Sequence, residues 1–181
     1  MIYEEKEFIV KDNIKVILKS PSKKDASEVL DFIVRICGQT DFLLSSPEDK
    51  KFNVADEERW IESYKESKNY FVCAYVDGKL VGDCNLDFRS HLKDKHRALV
   101  GIGIDKEYWN KGIGSLLFDE LINLAKKTDG IEQIELGVIS INERAKHLYE
   151  KKGFVKTGVI PKAIKLKDGT YLDEELMTKF L

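Results

Sequence analysis

Two glycines at i and i+2, Gly112 and Gly114, lie where a polar turn passes into a strongly amphipathic helix. The first backbone N–H groups of a helix have no intrahelical acceptor and carry the positive end of the helix dipole, so they bind phosphate readily. Glycine lets a ligand approach the backbone because no Cβ intervenes. Five consecutive residues are therefore predicted to hold a phosphate or pyrophosphate: Lys111, Gly112, Ile113, Gly114 and Ser115.

The surroundings of this loop decide how specific the pattern is. Glycines at a helix entry often serve turn geometry alone. Lys111, likewise, is either a phosphate ligand or an ordinary solvated surface residue. The chain contains no G-x-x-x-x-G-K-[ST] phosphate loop. A dinucleotide-binding fingerprint needs a third glycine three residues after the second, but Lys106 and Leu117 stand there after the two G-I-G runs. Nucleotide-binding enzymes of other folds are therefore disfavoured.

A second block of residues with chemical potential begins 28 positions after Gly114 and runs from Asn142 to Phe154. Asn142 is a favoured helix N-cap residue, and Glu143 follows it into a predicted helix. Tyr149 lies two helical turns later, so the two side chains share one face of that helix. Taken alone, Asn142 is most simply an N-cap and Tyr149 is most simply a core aromatic residue.

The glycine loop after a strand and the pattern Asn142…Ala145…Leu148-Tyr149…Gly153-Phe154 together resemble the GCN5-related N-acetyltransferase (GNAT) superfamily, whose members use acetyl-CoA. The resemblance is strongest from about Leu99 to Phe154. It continues in Gly169–Met177, which is similar to the final strand of many members. Two positions of the loop depart from the family pattern, because Trp109 stands where Arg or Gln is usual and Asn110 stands where Gly or Arg is common.

The resemblance implies a role for each part of a site. The pyrophosphate of acetyl-CoA would lie on the glycine loop, and the pantetheine would pair with the backbone of Ile102, Gly103 and Ile104, which would also polarise the thioester carbonyl. Asn142 would contact the cofactor. Tyr149 would be the general acid that protonates the departing CoA thiolate. Neither a metal nor a covalent enzyme intermediate is needed. Without the resemblance, Gly103 is equally a packing or bulge glycine.

The general base is not identified by the sequence. An alkyl ammonium has a pKa of about 10.4, so a proton must leave before the nitrogen can attack. Many relatives carry Glu on the strand before the glycine loop, but Leu99 occupies that place here. Four carboxylates remain candidates for the base, acting directly or through a water: Asp83, Asp87, Asp173 and Glu174. The alternative for each is an ordinary exposed side chain.

We therefore expect an acetyl-CoA-dependent N-acetyltransferase that passes the acetyl group directly to a primary amine of a small molecule, a protein or a peptide. The alternative is a non-catalytic acyl-CoA-binding or sensor domain of the same fold, which Leu99 favours. A long loop from Gly38 to Asn53 either shapes the acceptor pocket or is a mobile surface loop. Acidic residues between positions 41 and 58, Asp49 among them, could attract a polyamine, a peptide N-terminus, a lysine or an aminoglycoside.

Hydrophobic periodicity and turn residues predict the elements that position these groups. Strands are predicted at Ile14–Lys19, Tyr70–Val76, Lys79–Phe88, Arg97–Ile104, Gln133–Ile139, Val155–Ile160 and Tyr171–Phe180. Helices are predicted after Ser20-Pro21-Ser22 to Cys37, around Asp56–Ser67, from the glycine loop to about Lys127, and from Asn142 to Gly153. Asp77-Gly78 marks a hairpin. The pattern predicts one α/β or α+β domain over residues 1–181, in three layers, with a mixed, mostly antiparallel sheet flanked by helices.

Size and composition limit the class of protein. The chain has 181 residues, 43% apolar and 34% charged, as expected of one globular domain. Its net charge of −2 lacks the basic excess of nucleic-acid-binding proteins. No apolar run approaches the roughly 18 residues of a membrane span and no signal-peptide pattern is present, so a cytoplasmic location is expected.

The remaining chemical groups predict little beyond this. The three cysteines have no C-x-x-C spacing and are expected to be buried reduced thiols, and the three histidines are too scattered for a metal site. An exposed edge strand near the C-terminus would allow a homodimer, while a monomer stays equally open.

Overall fold

The order of strands and helices follows the predicted one closely. A computed structural model describes residues 1–48 and 53–181. Within them the strands are β1 (Lys6–Ile9), β2 (Lys15–Lys19), β3 (Tyr70–Val76), β4 (Lys79–Phe88), β5 (Arg97–Ile104), β6 (Gln133–Ile139), β7 (Val155–Lys165) and β8 (Tyr171–Phe180). The α-helices are α1 (Ala26–Cys37), α2 (Val54–Glu66), α3 (Ile113–Lys127) and α4 (Glu143–Lys151).

Two strands differ from the prediction. β1 was not predicted, because Lys6–Ile9 is short and has no buried side chain from which an alternation could be read. β7 continues past Ile160, because the chain passes Pro161 through an irregularity with Lys162 at φ 52° and then pairs with β8 again. Proline cannot donate to a strand ladder, so the sequence suggested an end there.

The described chain forms two compact units, the first of Met1–Asp87 with Gly101–Leu117 and the second of Phe88–Val100 with Phe118–Leu181. Strand β5 and helix α3 contribute residues to both units. The mixed, mostly antiparallel strand pairing and the flanking helices confirm the predicted fold class. That the chain is a single domain stays a prediction.

In the first unit the strands follow the order β1-β2-β3-β4, and the last residues of β5 come next to β4. β3 and β4 are antiparallel, with Val76 opposite Lys79. The predicted hairpin is confirmed, since Asp77 and Gly78 between them both have positive φ, 49° and 78°. Helices α1 and α2 bury their apolar faces against β3, where Phe32 of α1 and Ile61 of α2 share one core with Phe71 of the strand.

In the second unit the order is β5-β6-β8-β7. β5 and β6 are parallel, with Ala98 opposite Ile134, whereas β8 pairs antiparallel with both β6 and β7. Helix α3 from Phe118 onward and helix α4 contribute apolar residues to this core. Among them, Phe118 packs beside the candidate residue Tyr149.

No helix among the described residues is long and apolar enough to cross a membrane. All three cysteines are buried thiols, as predicted. Within residues 1–48 and 53–181 no cluster of three or more His, Cys, Asp or Glu side chains is arranged to hold a metal ion.

Candidate active site

The connection between β5 and α3 is shaped by a capped turn followed by two left-handed residues. Asp105 caps the 3-10 turn Lys106–Tyr108, accepting a hydrogen bond from the Glu107 N–H at 3.2 Å. Asn110 and Gly112 then have φ of 63° and 88°, and α3 begins at Ile113. Asparagine tolerates this conformation better than most residues and glycine adopts it freely. The polar run before the helix therefore turns sharply into its first turn.

Gly112 is required by its backbone conformation. A Cβ there would stand 3.4 Å from the Cβ of Val10 and 3.5 Å from the N of Lys11, which is ordinary contact distance. The missing side chain thus faces the connection between β1 and β2. From the sequence, glycine was expected here to give a ligand a clear approach, and this contact does not support that reason. A non-glycine residue at φ 88° would be strained wherever its side chain pointed.

The start of α3 has backbone donors that precede its first helical hydrogen bond. Its first i to i−4 hydrogen bond after the loop runs from the Leu116 N–H to the Gly112 carbonyl at 3.0 Å. The N–H groups of Ile113, Gly114 and Ser115 precede that bond and lie in the turn where a helix leaves its donors unused. The Lys111 ammonium lies 4.8 Å from the centroid of the Tyr108 ring. These donors and this cation suit a phosphate group.

The strand residues expected beside a pantetheine lie in the same unit as the loop. Ile102 and Ile104 are half-buried and Gly103 is buried. The Trp109 indole N–H donates to the Ile104 carbonyl at 2.8 Å, so the loop is fastened to the end of β5. A Cβ on Gly103 would stand 2.6 Å from Asp83 Oδ1 and 2.5 Å from the tip of Ile36, so any larger residue there would displace both side chains.

A row of polar side chains follows β4 across this part of β5. Asp83 lies against Gly103, and the Asn85 amide lies against Gly101 in the same way, 2.5 Å from where its Cβ would be. Asn85 donates to Asp87, and the Tyr64 hydroxyl on α2 donates to the same carboxylate oxygen at 3.2 Å. Burial, followed by the charge of Asp87, raises the pKa of Tyr64 well above its ordinary value. Two of the four candidate bases therefore lie in the glycine-loop unit.

Asn142 has the N-cap role predicted for it. Its side-chain oxygen accepts from the Ala145 N–H at 3.3 Å, and its own N–H donates to the Ile139 carbonyl at 2.8 Å. The residue is 9% exposed. It starts α4 at the end of β6, within the second unit. Its predicted contact with a cofactor stays a prediction.

Tyr149 lies near the end of α4 and is 7% exposed. Its ring centroid lies 5.0 Å from that of Phe118 and 6.2 Å from that of Phe154. Burial raises the pKa of Tyr149 to about 12, against a smaller opposing effect of the Arg144 charge. At neutral pH the phenol therefore holds its proton, as a general acid must.

The two other candidate bases belong to β8 in the second unit. The Asp173 carboxylate accepts from the Lys162 N–H at 2.8 Å, and the Glu174 side chain lies over Gly137 of β6. Leu99, at the position where relatives carry Glu, is half-buried and pairs with Glu135 in the strand register. Glu135 itself is held by Arg97 through two bonds of 2.6 and 2.7 Å.

The structure thus divides the predicted site residues between the two units. Eight of them lie in the first unit, on the end of β5 and in the glycine loop: Ile102, Gly103, Ile104, Lys111, Gly112, Ile113, Gly114 and Ser115. Asn142 and Tyr149 lie in the second unit. Sequence reasoning missed the bracing contacts of Asp105 and Trp109. An Asp before a short turn was the available signal for Asp105. Of the acidic stretch, Asp49 lies outside the described residues.

Comparison with known proteins identifies the class to which this chain belongs. A model of the acetyltransferase (GNAT) family matches residues 39–154. The chain is 32% identical over 106 residues to the L-amino acid N-acetyltransferase AaaT of Escherichia coli K12, an alignment covering 59% of this chain and 65% of that protein. Because the family model covers more than half of the chain, the chain belongs to the acetyltransferase (GNAT) family.

Solved structures agree with this assignment. A GNAT-family acetyltransferase from Streptococcus pneumoniae matches with a TM-score of 0.87 and 29% identity, over 92% of this chain and 99% of that one. The yncA protein of Salmonella typhimurium, whose structure holds its cofactor acetyl-CoA, matches with a TM-score of 0.79 over 92% of this chain and 94% of that one. At 20% identity the second likeness concerns the fold alone. The alignment with the curated E. coli relative spans just under two thirds of that protein's length.

Proposed function

We propose that the chain is an acetyl-CoA-dependent N-acetyltransferase that moves an acetyl group directly to a primary amine. The observation that carries this proposal is the glycine loop, in which Gly112 at φ 88° directs the chain into α3, whose first N–H groups precede the Leu116–Gly112 bond. Loop and helix suit the pyrophosphate of CoA, and the family match makes acetyl-CoA the expected donor. The half-buried strand Ile102–Ile104 supports an extended pantetheine beside it.

The residues present fit the donor's chemistry. Acetyl-CoA supplies an activated thioester carbonyl and a thiolate leaving group. Lys111 to Ser115 bind and orient the phosphates, and Asn142 contacts the cofactor while it caps α4. As the new N–C bond forms and the C–S bond breaks, Tyr149 gives its proton to the sulfur. Its raised pKa keeps that proton available across the working range.

Asp83 is the base that we propose among the four carboxylates. Its Oδ1 lies against Gly103, on the strand to which the proposal assigns the pantetheine, so it can take the amine proton directly or through one water. Asp87 is engaged by Tyr64 and Asn85 instead, which suits it to holding an ammonium group in place. Asp173 and Glu174 remain the alternatives, and the outcome of substituting Asp83 decides between them.

The acceptor is proposed to be an alkyl ammonium on a small molecule or on a protein or peptide. The name of the E. coli relative describes an enzyme that acts on L-amino acids, and this supports an α-amino group as the first candidate. Carboxylates along β4 suit a cationic acceptor better than an acidic one. We also propose a cytoplasmic location and leave a homodimer through the exposed β7 as a proposal, to be measured by sedimentation.

Isothermal titration of CoA and acetyl-CoA into the protein tests the central proposal. The wild type should bind with micromolar or better affinity, and Gly112→Val should not, because valine is strained at this φ and its branches would press on Val10. Gly169→Val is the matched control, since Gly169 has φ 90° and open space around it. A wild type that binds neither ligand would refute the proposal, and equal loss in both variants would show only general destabilisation.

The alternative function is a non-catalytic acyl-CoA-binding or sensor domain, and Leu99 is the observation that favours it. Such a protein would bind CoA in the same titration but transfer nothing. Transfer of labelled acetyl to a broad panel of amines separates the two, because robust turnover on any acceptor excludes the sensor.

A further inference from the structure

Asp105 is a buried carboxylate at the junction between β5 and the glycine loop. Its side chain is 1% exposed. Oδ2 accepts from Arg35 Nε at 2.9 Å and Oδ1 accepts from Gln39 Nε2 at 3.1 Å, so both oxygens are held by residues at the end of α1. Burial alone would raise the pKa of Asp105, but the hydrogen bonds from Gln39, the Glu107 N–H and Arg35 lower it below its ordinary value.

The end of α1 also bonds to the loop in the opposite direction. Gln39 Oε1 accepts from the Lys106 N–H at 2.8 Å, and Arg35 Nη2 donates to the Leu80 carbonyl at 3.0 Å. Gln39 therefore bridges the Asp105 carboxylate and the next backbone N–H with its two amide atoms. A one-residue displacement of either segment would break both bonds. Because the pairing joins residues some 66 positions apart in the chain, it fastens two segments that sequence alone does not relate.

The segments so joined have different places in the proposed function. One is the turn Lys106–Tyr108 that leads into the glycine loop, which Trp109 also fastens to β5. The other is the last turn of α1 with the two residues after it, from which the chain continues into the loop expected to shape the acceptor pocket. We propose that Asp105 is a positioning residue that locks these two segments into one unit, so that a cofactor on the glycine loop also restrains the end of α1. The part of this inference that concerns the cofactor rests on the proposed function.

The chemistry of the pairing makes Asp105→Asn a selective change. Arg35, Gln39 and the Glu107 N–H all donate to the carboxylate, so an asparagine NH₂ would face a donor in place of one accepting oxygen. Size and shape are retained. Glu107→Gln is the matched control, because Glu107 lies on the same turn and its carboxylate is 73% exposed. Gln39→Met is a second variant that removes both Gln39 bonds while leaving the Arg35 pair, in case Asp105→Asn does not fold.

Hydrogen exchange measured by mass spectrometry, with CoA as the probe, tests the lock. In the wild type, CoA should slow exchange both at residues 110–115 and at residues 34–39. In Asp105→Asn at saturating CoA, the loop should remain protected while residues 34–39 lose their protection, and the Kd for CoA should rise about tenfold. Glu107→Gln should behave as the wild type. A residue with a merely structural role would lower the melting temperature without separating the two segments.

The unliganded protein provides the arm that does not depend on the cofactor. Without CoA, Asp105→Asn and Gln39→Met should raise exchange at both 34–39 and 106–109, because each segment loses its partner in the other. Protection of the loop alone in the wild type with CoA, or a rise in only one of the two segments of the variants without it, would overturn the lock while leaving the proposed function intact. A rise in both segments of the variants, with no CoA binding by the wild type, would support the lock and overturn the proposed function.

Discussion

Replacing Tyr149 by phenylalanine removes one hydroxyl from the centre of the proposed chemistry and little else. The ring packs against Phe118 and Phe154 at centroid distances of 5.0 and 6.2 Å, and phenylalanine keeps both contacts. With a pKa of about 12, the phenol is ionised in only about one molecule in 10⁴ at pH 8, so the wild type enters each turnover with its proton in place. A positioned general acid contributes about 10²- to 10⁴-fold to a rate.

We therefore expect Tyr149→Phe to lower kcat at least about 100-fold. The Kd for acetyl-CoA should change less than about threefold, because the proton is needed only as the sulfur leaves. Release of CoA thiol, measured with the amine that gives turnover in the acceptor panel, reports kcat, and titration reports Kd.

Tyr171→Phe is the control for this experiment. Tyr171 belongs to the same unit and is 49% exposed, so the loss of its hydroxyl should change neither quantity. If the loss in kcat/KM of Tyr149→Phe is matched by an equal loss in acetyl-CoA affinity, the hydroxyl serves binding and the general-acid role is refuted.

Three further outcomes follow from the same contacts. Asp83→Asn should lower kcat at least about 100-fold, whereas Asp87→Asn should act mainly on the acceptor KM, and the reverse pattern would transfer the base to Asp87. Because folding raises the pKa of Tyr149, the protonated phenol contributes its full stabilisation below about pH 10, and about 3 kcal/mol of it is lost between about pH 10 and 12. The free energy of unfolding, measured with urea, should therefore fall less steeply over this range in Tyr149→Phe than in the wild type. Trp109→Phe removes the 2.8 Å bond to the Ile104 carbonyl and should weaken CoA binding about three- to tenfold, while Trp60→Phe should not.

The secondary structure could be read from the sequence wherever a strand alternates or a turn has a distinctive pair. β3 and β4 lie at the predicted residues because Asp77-Gly78 fixes their register from inside the hairpin. β1 could not be found, since pairing with β2 and not side-chain burial makes it a strand. The course of β7 past Pro161 depends likewise on β8, whose residues follow it in the chain.

The candidate site was predictable as a set of backbone features and hardly at all as a set of side-chain contacts. The loop glycines and the Asn142 cap are local, because each depends on residues within one turn of helix. The bond from Trp109 to Ile104 also spans few residues, but an indole offers no pattern from which that acceptor could be read. The contacts of Asp105 with Arg35 and Gln39 join distant positions and exist only because α1 packs beside the end of β5.

Trp109 and Leu99 both depart from the family pattern, but in each case the chain carries a chemical group of the missing kind. Arg and Gln, which usually open the glycine loop in relatives, both carry a side-chain N–H donor, and Trp109 supplies one too, which it gives to the Ile104 carbonyl. No carboxylate stands at Leu99, but β4 carries Asp83, which lies against Gly103. Neighbouring strands of a sheet lie about 4.8 Å apart, so a carboxylate on β4 can reach a ligand bound along the end of β5. Loss of a motif residue is therefore weaker evidence for loss of catalysis than the sequence suggests, and Asp83 is the position at which that reasoning can fail.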